Sequence, residues 1–333
     1  FAVPWTRNFL QNTTVNFIGK RKIAYVISGV LAVVVCISLV VRGFDAGIDF
    51  VGGRTYEIQF KKPVSTEEVA AKLETVLNER PQVKVFGESS QVKITTKYKI
   101  QDDDPAIDAE VDSLVYVGLK PMLEAGVSQH EFLEDYKLSS TKVGPTIALD
   151  IRREAVVAVI LALIAIFLYI MIRFKNWRYS AGAVLGLAHD TLMVIGVYTL
   201  LWGIVPFTLE IDQAFIAAVL TIIGYSINDT VVIFDRIREY VGLYPHRKLD
   251  ETFNNAINST LSRTFATSFS TLIVLIPMVL FGGDSIRGFV FSLSIGVIVG
   301  TYSSMFISSP LAYDFGKRRR ERMQEEAEKR LKK

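Results

Sequence analysis

Two long apolar runs without a charged side chain constrain this chain more than any other feature. Residues 23–41 form a run of 19 residues and residues 155–172 form one of 18. As α-helices, both are about long enough to cross the ~30 Å hydrocarbon core of a bilayer. Half of the 333 residues are hydrophobic and the mean hydropathy is +0.33, which excludes a disordered or fibrous chain. The sequence therefore predicts a membrane protein.

Four weaker candidates for membrane spans follow the second run. Each has a few polar residues inside an apolar pattern. They cover residues 179–202, 213–234, 264–281 and 288–312. The total is six transmembrane helices, the first at residues 23–41 and the other five within residues 155–316.

The distribution of Lys and Arg predicts how the spans are oriented. Short loops rich in these residues stay in the cytoplasm. Basic residues precede the first span, separate the second from the third and the fourth from the fifth, and follow the sixth, whereas residues 203–212 contain none. Both termini are therefore expected in the cytoplasm, as in a multi-pass protein of the cell inner membrane. Residues 42–154 are then expected outside.

Acidic and basic residues are unevenly distributed along the chain. The formal net charge is only +3, too small by itself to indicate a nucleic-acid partner. Residues 43–144 hold 12 basic and 18 acidic side chains, so the positive balance belongs to the cytoplasmic edge. Residues 1–22 are predicted to form a cytoplasmic or interfacial segment, and residues 317–333 a basic cytoplasmic tail near membrane lipid.

The segment between the first two spans has the pattern of a small α+β domain. Ser65 and Glu68 form a capping box ahead of one amphipathic helix that runs to about residue 79, and Pro105 opens a second that ends near residue 126. Four strands are predicted at residues 54–60, 82–86, 91–98 and 134–143. The order β-α-β-β-α-β indicates a ferredoxin-like domain of about 100 residues. The predicted fold class is a polytopic α-helical membrane protein with six transmembrane helices and one external α+β domain.

The sequence gives no indication of catalysis or of a bound cofactor. The pattern G-x-x-x-x-G-K-[ST] is absent, so the chain is not expected to consume ATP. The single cysteine, Cys36, lies in the first apolar run, which excludes an intrachain disulfide framework and a thiolate metal cluster. We therefore expect a binding or mechanical protein rather than an enzyme.

The most informative residues are ionisable side chains inside predicted spans. Asp190 lies about 16 Å along the third span, close to the membrane midplane. Asp229 lies in a polar part of the fourth span, and Arg263 lies where the fifth span enters the membrane. An unpaired charge at the bilayer centre costs about 2.5–3.5 kcal/mol, so each should face the bundle interior with a partner or water. Asp229 and Arg263 are at similar depths in consecutive antiparallel spans and are predicted to pair.

This pair has two interpretations. It is either a static ion pair that holds two helices together, or a switch in which helix movement changes the proton affinity of Asp229. For Asp190, a proton relay and helix-packing hydrogen bonds remain equally open. Its neighbour His189 is interpreted as a packing histidine in preference to a relay.

Seven motifs, in chain order, resemble the SecF family, the six-span half of the SecDF protein-export factor in the resistance-nodulation-division superfamily. The longest is GYSINDTVVIFDRIRE at residues 224–239. The others are GIDFVGG (47–53), VGP (143–145), RF (173–174), HD (189–190), TLSRT (260–264) and GTYSS (300–304). The resemblance covers essentially the whole chain.

The resemblance implies that the chain couples proton flow to late steps of protein export. Asp229 would be the proton-coupling carboxylate and Arg263 its basic partner, with Asp190 a further candidate. The partners implied are SecD, as a separate chain or a fused half, the SecYEG channel, YidC and YajC, with unfolded secretory polypeptide at the external domain. Sodium as the coupling ion is left open. Motif residues with an expected structural role are Asp49, Gly52, Gly53, Gly224, Tyr225, Asn228, Thr230, Asp235 and Arg236.

Two other function classes compete with this interpretation. A proton-driven small-molecule or lipid exporter of the same superfamily would also place charges inside the membrane, but such exporters usually join two bundles in one chain. An intramembrane aspartyl protease would need two aspartates that share a proton. Arg263 beside Asp229 opposes that sharing with Asp190, and no GxGD motif occurs.

Overall fold

The structure is a computed structural model that describes residues 13–102, 104–205 and 207–317. In chain order its main elements are α1 (Phe17–Val41), α2 (Ile48–Val51), β1 (Gly53–Gln59), α3 (Thr66–Leu77), β2 (Gln82–Phe86), β3 (Glu88–Thr96), α4 (Pro105–Leu119), β4 (Lys137–Val143), α5 (Pro145–Phe174), α6 (Trp177–Leu201), α7 (Gln213–Leu243), α8 (Leu249–Phe281) and α9 (Asp284–Ser303). Most of the predicted N-terminal segment and of the basic tail lies outside the described residues.

Six helices in the described ranges are long and apolar enough to cross a membrane. They are α1, α5, α6, α7, α8 and the helix that contains α9 and continues to Lys317. With the small sheet domain between α1 and α5, they confirm the predicted fold class. In α9 the α-helical turns give way to a wider π-helical turn at Ser304–Ser308 before the helix continues.

The first span begins earlier than the hydropathy pattern predicts. Helix α1 starts at Phe17, and the side chain of Asn16 caps it by accepting a hydrogen bond from the Gly19 amide at 2.7 Å. Phe17 and Ile18 are buried in the bundle core. Tertiary packing thus extends the helix through the basic residues that precede the apolar run.

The α+β domain is an antiparallel sheet covered on one face by α3 and α4. The strand order is β2-β3-β1-β4, which is the order of a split βαβ unit. Alternate residues of the central strands point into the core, among them Tyr56, Ile58, Val92 and Ile94. The opposite face of the sheet carries polar side chains, including Lys84 and Lys93.

Several predicted boundaries in this domain differ from the structure. Ser65 is the N-cap residue of α3, but its side chain makes no capping hydrogen bond, so the predicted capping box is wrong in that respect. Helix α4 ends at Leu119 because Lys120–Met122 tightens into a 3-10 turn. Strand β4 begins only at Lys137, since Phe132–Tyr136 forms a π-helical turn with both its aromatic rings in the core.

Helices α6, α7 and α9 form the centre of the bundle. A β-carbon at Gly186 of α6 would overlap the hydroxyl of Ser308, and one at Gly296 of α9 would overlap Ile222 of α7. These glycines therefore allow neighbouring helices to approach each other closely. Helices α5 and α8 lie at the periphery and bury little of their apolar surface. The intramembrane acids lie on the central helices.

Candidate intramembrane carboxylate site

Asp190 lies near the middle of α6 and is only 1% exposed. Its Oδ2 accepts one hydrogen bond from Ser226 Oγ of α7 at 2.7 Å and another from Ser303 Oγ of α9 at 2.8 Å. Its Oδ1 lies 3.2 Å from Nδ1 of His189. The carboxylate therefore connects α6 to α7 and α9 through hydrogen bonds to their side chains.

A second pair of hydroxyls extends this polar contact. Thr230 Oγ1 of α7 lies 2.8 Å from Ser304 Oγ, where α9 passes into its π-helical turn. The Ser304 carbonyl accepts the backbone amide of Ser309 across this turn, and the hydroxyl of Ser309 donates to the same carbonyl at 2.7 Å. The contacts of Ser303 and Ser304 with α6 and α7 were not predicted from the sequence. The motif GTYSS at residues 300–304 was the available signal.

Asp229 is also buried, with 6% of its surface exposed, but its surroundings differ. Its Oδ2 is buried and has no hydrogen-bond partner among the described residues. It also forms no ion pair within 4.0 Å in those parts of the chain. Asp229 is therefore buried like Asp190, but in the described chain it lacks the hydrogen bonds that stabilise the Asp190 carboxylate.

Arg263 lies on α8 at the depth expected for a partner of Asp229, since each residue is 14 positions from the end where α7 and α8 are connected. The guanidinium is close enough to interact electrostatically with Asp229, yet the two do not form a direct ion pair. They do not pair because their side chains lie in different surroundings: that of Asp229 is buried, whereas that of Arg263 is exposed. The structure brings the predicted partners near each other without contact.

Several polar residues are exposed on α7 and α8 around Arg263. Tyr225 on α7 and Thr271 on α8 link the two helices by a hydroxyl contact of 3.1 Å. Other residues exposed here include Gly224, Asn228, Arg263, Thr267 and Ser270. We call these five residues the polar band. Polar groups at this depth are not expected to face lipid.

The remaining motif residues lie at the two ends of α7. At the end near α8, Asp235 pairs with Arg173 and Arg238, at 3.1 Å in each case, and Arg236 pairs with Glu239 at 2.7 Å. These contacts join α7 to the end of α5 and to its own next turn. They do not reach Asp229.

At the other end of α7, Asp49 Oδ2 accepts a hydrogen bond from the Gln213 amide at 3.0 Å. Gly52 and Gly53 follow with φ angles of +74° and +156°, which favour glycine. A β-carbon at Gly52 would lie 3.3 Å from Pro145 Cα. These residues shape the entry into β1 and lie far from Asp229, since Gln213 and Asp229 are separated by about 24 Å of helix.

The described residues contain no group of three His, Cys, Asp or Glu side chains placed to hold a metal ion. Asp190 and Asp229 do not hydrogen-bond each other in the ranges the structure covers, and the partners of Asp190 are hydroxyls and His189. The arrangement thus offers one satisfied carboxylate and one isolated carboxylate. The proton shared between two aspartates that a protease requires is not supported by this geometry.

Six candidate spans with two buried intramembrane acids, and one small split βαβ domain, define a polytopic α-helical membrane protein. Comparison with known proteins gives the family. The family described as protein export membrane protein SecD/SecF, C-terminal, matches residues 125–318, and the SecD/SecF GG motif matches residues 37–64. The chain belongs to the SecF branch of the SecD/SecF family.

Three relatives show the extent of the similarity. Protein translocase subunit SecF of Rhodothermus marinus is 41% identical over 91% of this chain and 94% of its own length. Protein translocase subunit SecDF of Brucella abortus is 37% identical over 92% of this chain but only 38% of its own length. The crystal structure of SecDF from Thermus thermophilus matches with a TM-score of 0.77 and 32% identity, over 92% of this chain and 39% of that protein.

Proposed function

We propose that this chain acts as a SecF-type subunit in protein export and couples proton flow through its bundle to late steps of that export. The observation that carries the coupling is the buried, partnerless carboxylate of Asp229. A buried ionised carboxylate without a partner is unfavourable, so the group gains by taking up a proton or by acquiring a counter-charge. Asp229 is thus suited to bind and release a proton during a cycle.

Arg263 is the counter-charge that such a cycle requires. Because it is near Asp229 without touching it, a small movement of α8 against α7 would make or break an ion pair and change the proton affinity of Asp229. A proton that crosses 100 mV releases about 2.3 kcal/mol, enough to bias a bundle between two arrangements. This favours the switch interpretation of the pair over the static one.

The polar band is an argument that a second membrane bundle packs against this one. Its exposed polar residues at bilayer depth need a protein or aqueous surface against them. In the SecDF relatives a chain like this one makes up about two fifths of a longer protein, so SecD is the partner of choice. The proposed wider set is SecYEG, YidC and YajC, with secretory polypeptide at the α+β domain.

The proposal places the protein in the cell inner membrane with both termini in the cytoplasm. Lys84 and Lys93 of the domain contact Glu210, so the domain lies at the same end of the bundle as the loop of residues 203–212, which contains no Lys or Arg. By the distribution of basic residues, that end faces outward. The exporter alternative is not retained, because the relatives compared above are named protein translocase subunits.

The test is gradient-dependent translocation of a secretory protein into inverted membrane vesicles that contain this chain and its partner. Asp229→Asn should remove the stimulation by the gradient, because Asn does not titrate. Asp229→Glu should retain part of it, because the titratable group is kept. Insertion and copurification of a second six-span chain should be unchanged in both variants.

Collapsing the proton and the sodium gradients separately, in the same vesicles, identifies the coupling ion. Loss of stimulation with the proton gradient alone supports the proposal as stated. Full stimulation with Asp229→Asn would contradict the role of this carboxylate, whatever the ion.

A further inference from the structure

A pair of lysines on the open face of the sheet is bound by a carboxylate from the membrane bundle. Lys84 and Lys93 are directly opposite each other in the register of β2 and β3. Like charges in that position repel and weaken strand pairing. Glu210, from the loop before α7, relieves the repulsion: its Oε1 lies 2.8 Å from Lys84 Nζ and its Oε2 lies 2.7 Å from Lys93 Nζ.

A second carboxylate completes the arrangement. Asp45, just after α1, pairs with Lys84 and is contacted by Gln82. The side chains of Asp45 and Glu210 are 9% and 10% exposed, and those of the lysines are 22% and 20% exposed. We call Asp45, Lys84, Lys93 and Glu210 the docking cluster. Its two positive and two negative charges balance in a largely buried place.

The loop that carries Glu210 is fixed to the start of α7. Ile211 pairs with Ala46 in a parallel bridge, the Ile211 amide donates to the Asp45 carbonyl at 2.7 Å, and the Gly47 amide donates to the Ile211 carbonyl at 2.9 Å. One residue further, Asp212 caps α7 through the Phe215 amide at 2.8 Å. Glu210 is therefore held both to the segment that follows α1 and, through Asp212, to the outer end of α7.

The docking cluster adds to the two covalent links between the sheet and the bundle, which run through Gly52 into β1 and through Gly144 into α5. The apolar core of the domain and the two cores of the bundle are separate clusters in the described chain. A cavity of about 220 Å³ lies beside the docking cluster, between Glu57 and Lys93 of the sheet and Tyr198 and Gly288 of the bundle. The cavity thus interrupts apolar packing between the sheet and the bundle. The ion pairs of the docking cluster provide the contact there instead.

The ionisation of Glu210 is consistent with this arrangement. Burial by itself would raise the pKa of Glu210, but Lys93 and Lys84 outweigh it and hold the pKa below its usual value. The carboxylate is therefore charged at neutral pH. Removing one member of such a buried set leaves the others without compensation, which is strongly unfavourable.

We propose that Glu210 holds the α+β domain docked on the bundle and makes the domain follow movements of the outer end of α7. Docking itself is independent of the function proposed above. The link from α7 to export rests on that proposed function, because Asp229 lies on the same helix. A continuous helix can carry a displacement near Asp229 to the loop that the docking cluster binds.

The experiment measures docking directly in the full chain with its partner, in membranes without a gradient. On a Cys36→Ser background, spin labels replace two exposed residues, Val117 of the domain and Phe281 at the outer end of α8. We expect one narrow distance distribution. Glu210→Lys should reduce the docked population by at least about tenfold, and Glu210→Gln should have a smaller effect in the same direction.

Two further variants decide the cause. Adding Lys93→Glu to Glu210→Lys should restore the narrow distribution, since an opposite charge pair is formed again. Glu124→Lys is the matched control, because it breaks the exposed Lys61–Glu124 pair inside the domain, far from the bundle, and should change nothing. An unchanged distribution with Glu210→Lys, or no recovery in the double variant, overturns the proposal.

Export is then measured with the same variants. Glu210→Lys should lower gradient-dependent export while Asp229 remains intact, and Lys93→Glu should recover part of it. Lost docking with undiminished export would overturn the link to α7 and leave the docking result standing. If Asp229→Asn shows normal export, the proposed coupling fails, but the distance measurements still decide whether Glu210 docks the domain.

Discussion

Asp190 and Asp229 are two carboxylates buried near the middle of adjacent central helices, and their surroundings are opposite. Asp190 accepts two hydroxyl hydrogen bonds and contacts His189. Asp229 has a buried oxygen without any partner in the described chain, and the guanidinium of Arg263 lies near it without forming an ion pair. The two carboxylates thus share burial but differ in hydrogen bonding, and this difference is the basis on which we propose different roles for them.

The difference favours one of the two interpretations left open for Asp190. Its bonds reach two other helices, so removing it would leave the buried Ser226 hydroxyl without its acceptor and the Ser303 hydroxyl with only the Gly300 carbonyl, at 3.2 Å, in the described chain. That is the behaviour of a residue that positions helices. Asp229 contributes no such contact, and its burial is explained better by exchange of a proton than by helix packing.

The largest expected effect is on stability and separates the two acids. Asp190→Ala should lower the free energy of unfolding by about 3 kcal/mol, because two buried hydrogen bonds are lost and the Ser226 hydroxyl is left without its acceptor. Asp229→Ala should leave the free energy unchanged or raise it, because it removes a buried carboxyl group whose Oδ2 has no hydrogen-bond partner in the described chain. Unfolding in mixed micelles with increasing SDS measures both.

The matching export assay is needed for the same comparison. At equal amounts of folded protein, Asp190→Asn should keep most of the gradient-dependent export that Asp229→Asn loses. If Asp190→Asn abolishes export while the protein remains folded, the distinction between a positioning acid and a proton-exchanging acid fails, and the relay interpretation of Asp190 is favoured.

The membrane spans were predictable because hydropathy is a local property. The intramembrane acids were also identifiable, since any ionisable group in a span is conspicuous. The start of α1 was not, because the bundle core buries Phe17 and Ile18, and that core forms only from distant segments. The end of α4 and the start of β4 were missed for a related reason: tight and wide helical turns have no strong sequence pattern.

The partners of the acids could not be predicted from the sequence. Asp190 bonds to hydroxyls 36 and 113 residues away, and these contacts depend on how each helix is rotated about its axis. Depth along the two spans was enough to predict that Asp229 and Arg263 pair. The rotation of each helix about its own axis, however, buries Asp229 and leaves Arg263 exposed. The docking cluster likewise requires the strand register that puts Lys84 opposite Lys93.

The next prediction concerns whether Asp229 and Arg263 act together in export, although they form no ion pair in the structure. If the two act as a unit during the cycle, Arg263→Gln should reduce gradient-dependent export as Asp229→Asn does, and the double variant should be little worse than either alone. We expect a coupling of at least tenfold in rate, or about 1.4 kcal/mol. Initial translocation rates of the four proteins measure it. Independent, multiplying losses would show that Arg263 does not act through Asp229.

A smaller effect is expected from trimming the contacts of Asp190. Ser303→Ala should cost about 1 kcal/mol of unfolding free energy, because Asp190 keeps the hydrogen bond from Ser226. Ser270→Ala is the control, since that exposed hydroxyl donates only to the Ala266 carbonyl of its own helix. SDS unfolding that shows equal losses for both would mean that the Asp190 contacts do not stabilise the helix centre.

The smallest effect lies at the contact between α7 and α8. Tyr225→Phe removes a half-buried hydroxyl 3.1 Å from Thr271 Oγ1 and should cost about 0.6 kcal/mol, as is typical of hydrogen bonds between membrane helices. Thr271→Val should cost a similar amount, and the double variant no more than either single one. Additive losses in SDS unfolding would show that the hydroxyls do not bond. The distance from α8 to Asp229, and with it the reach of Arg263, would then be set by packing alone.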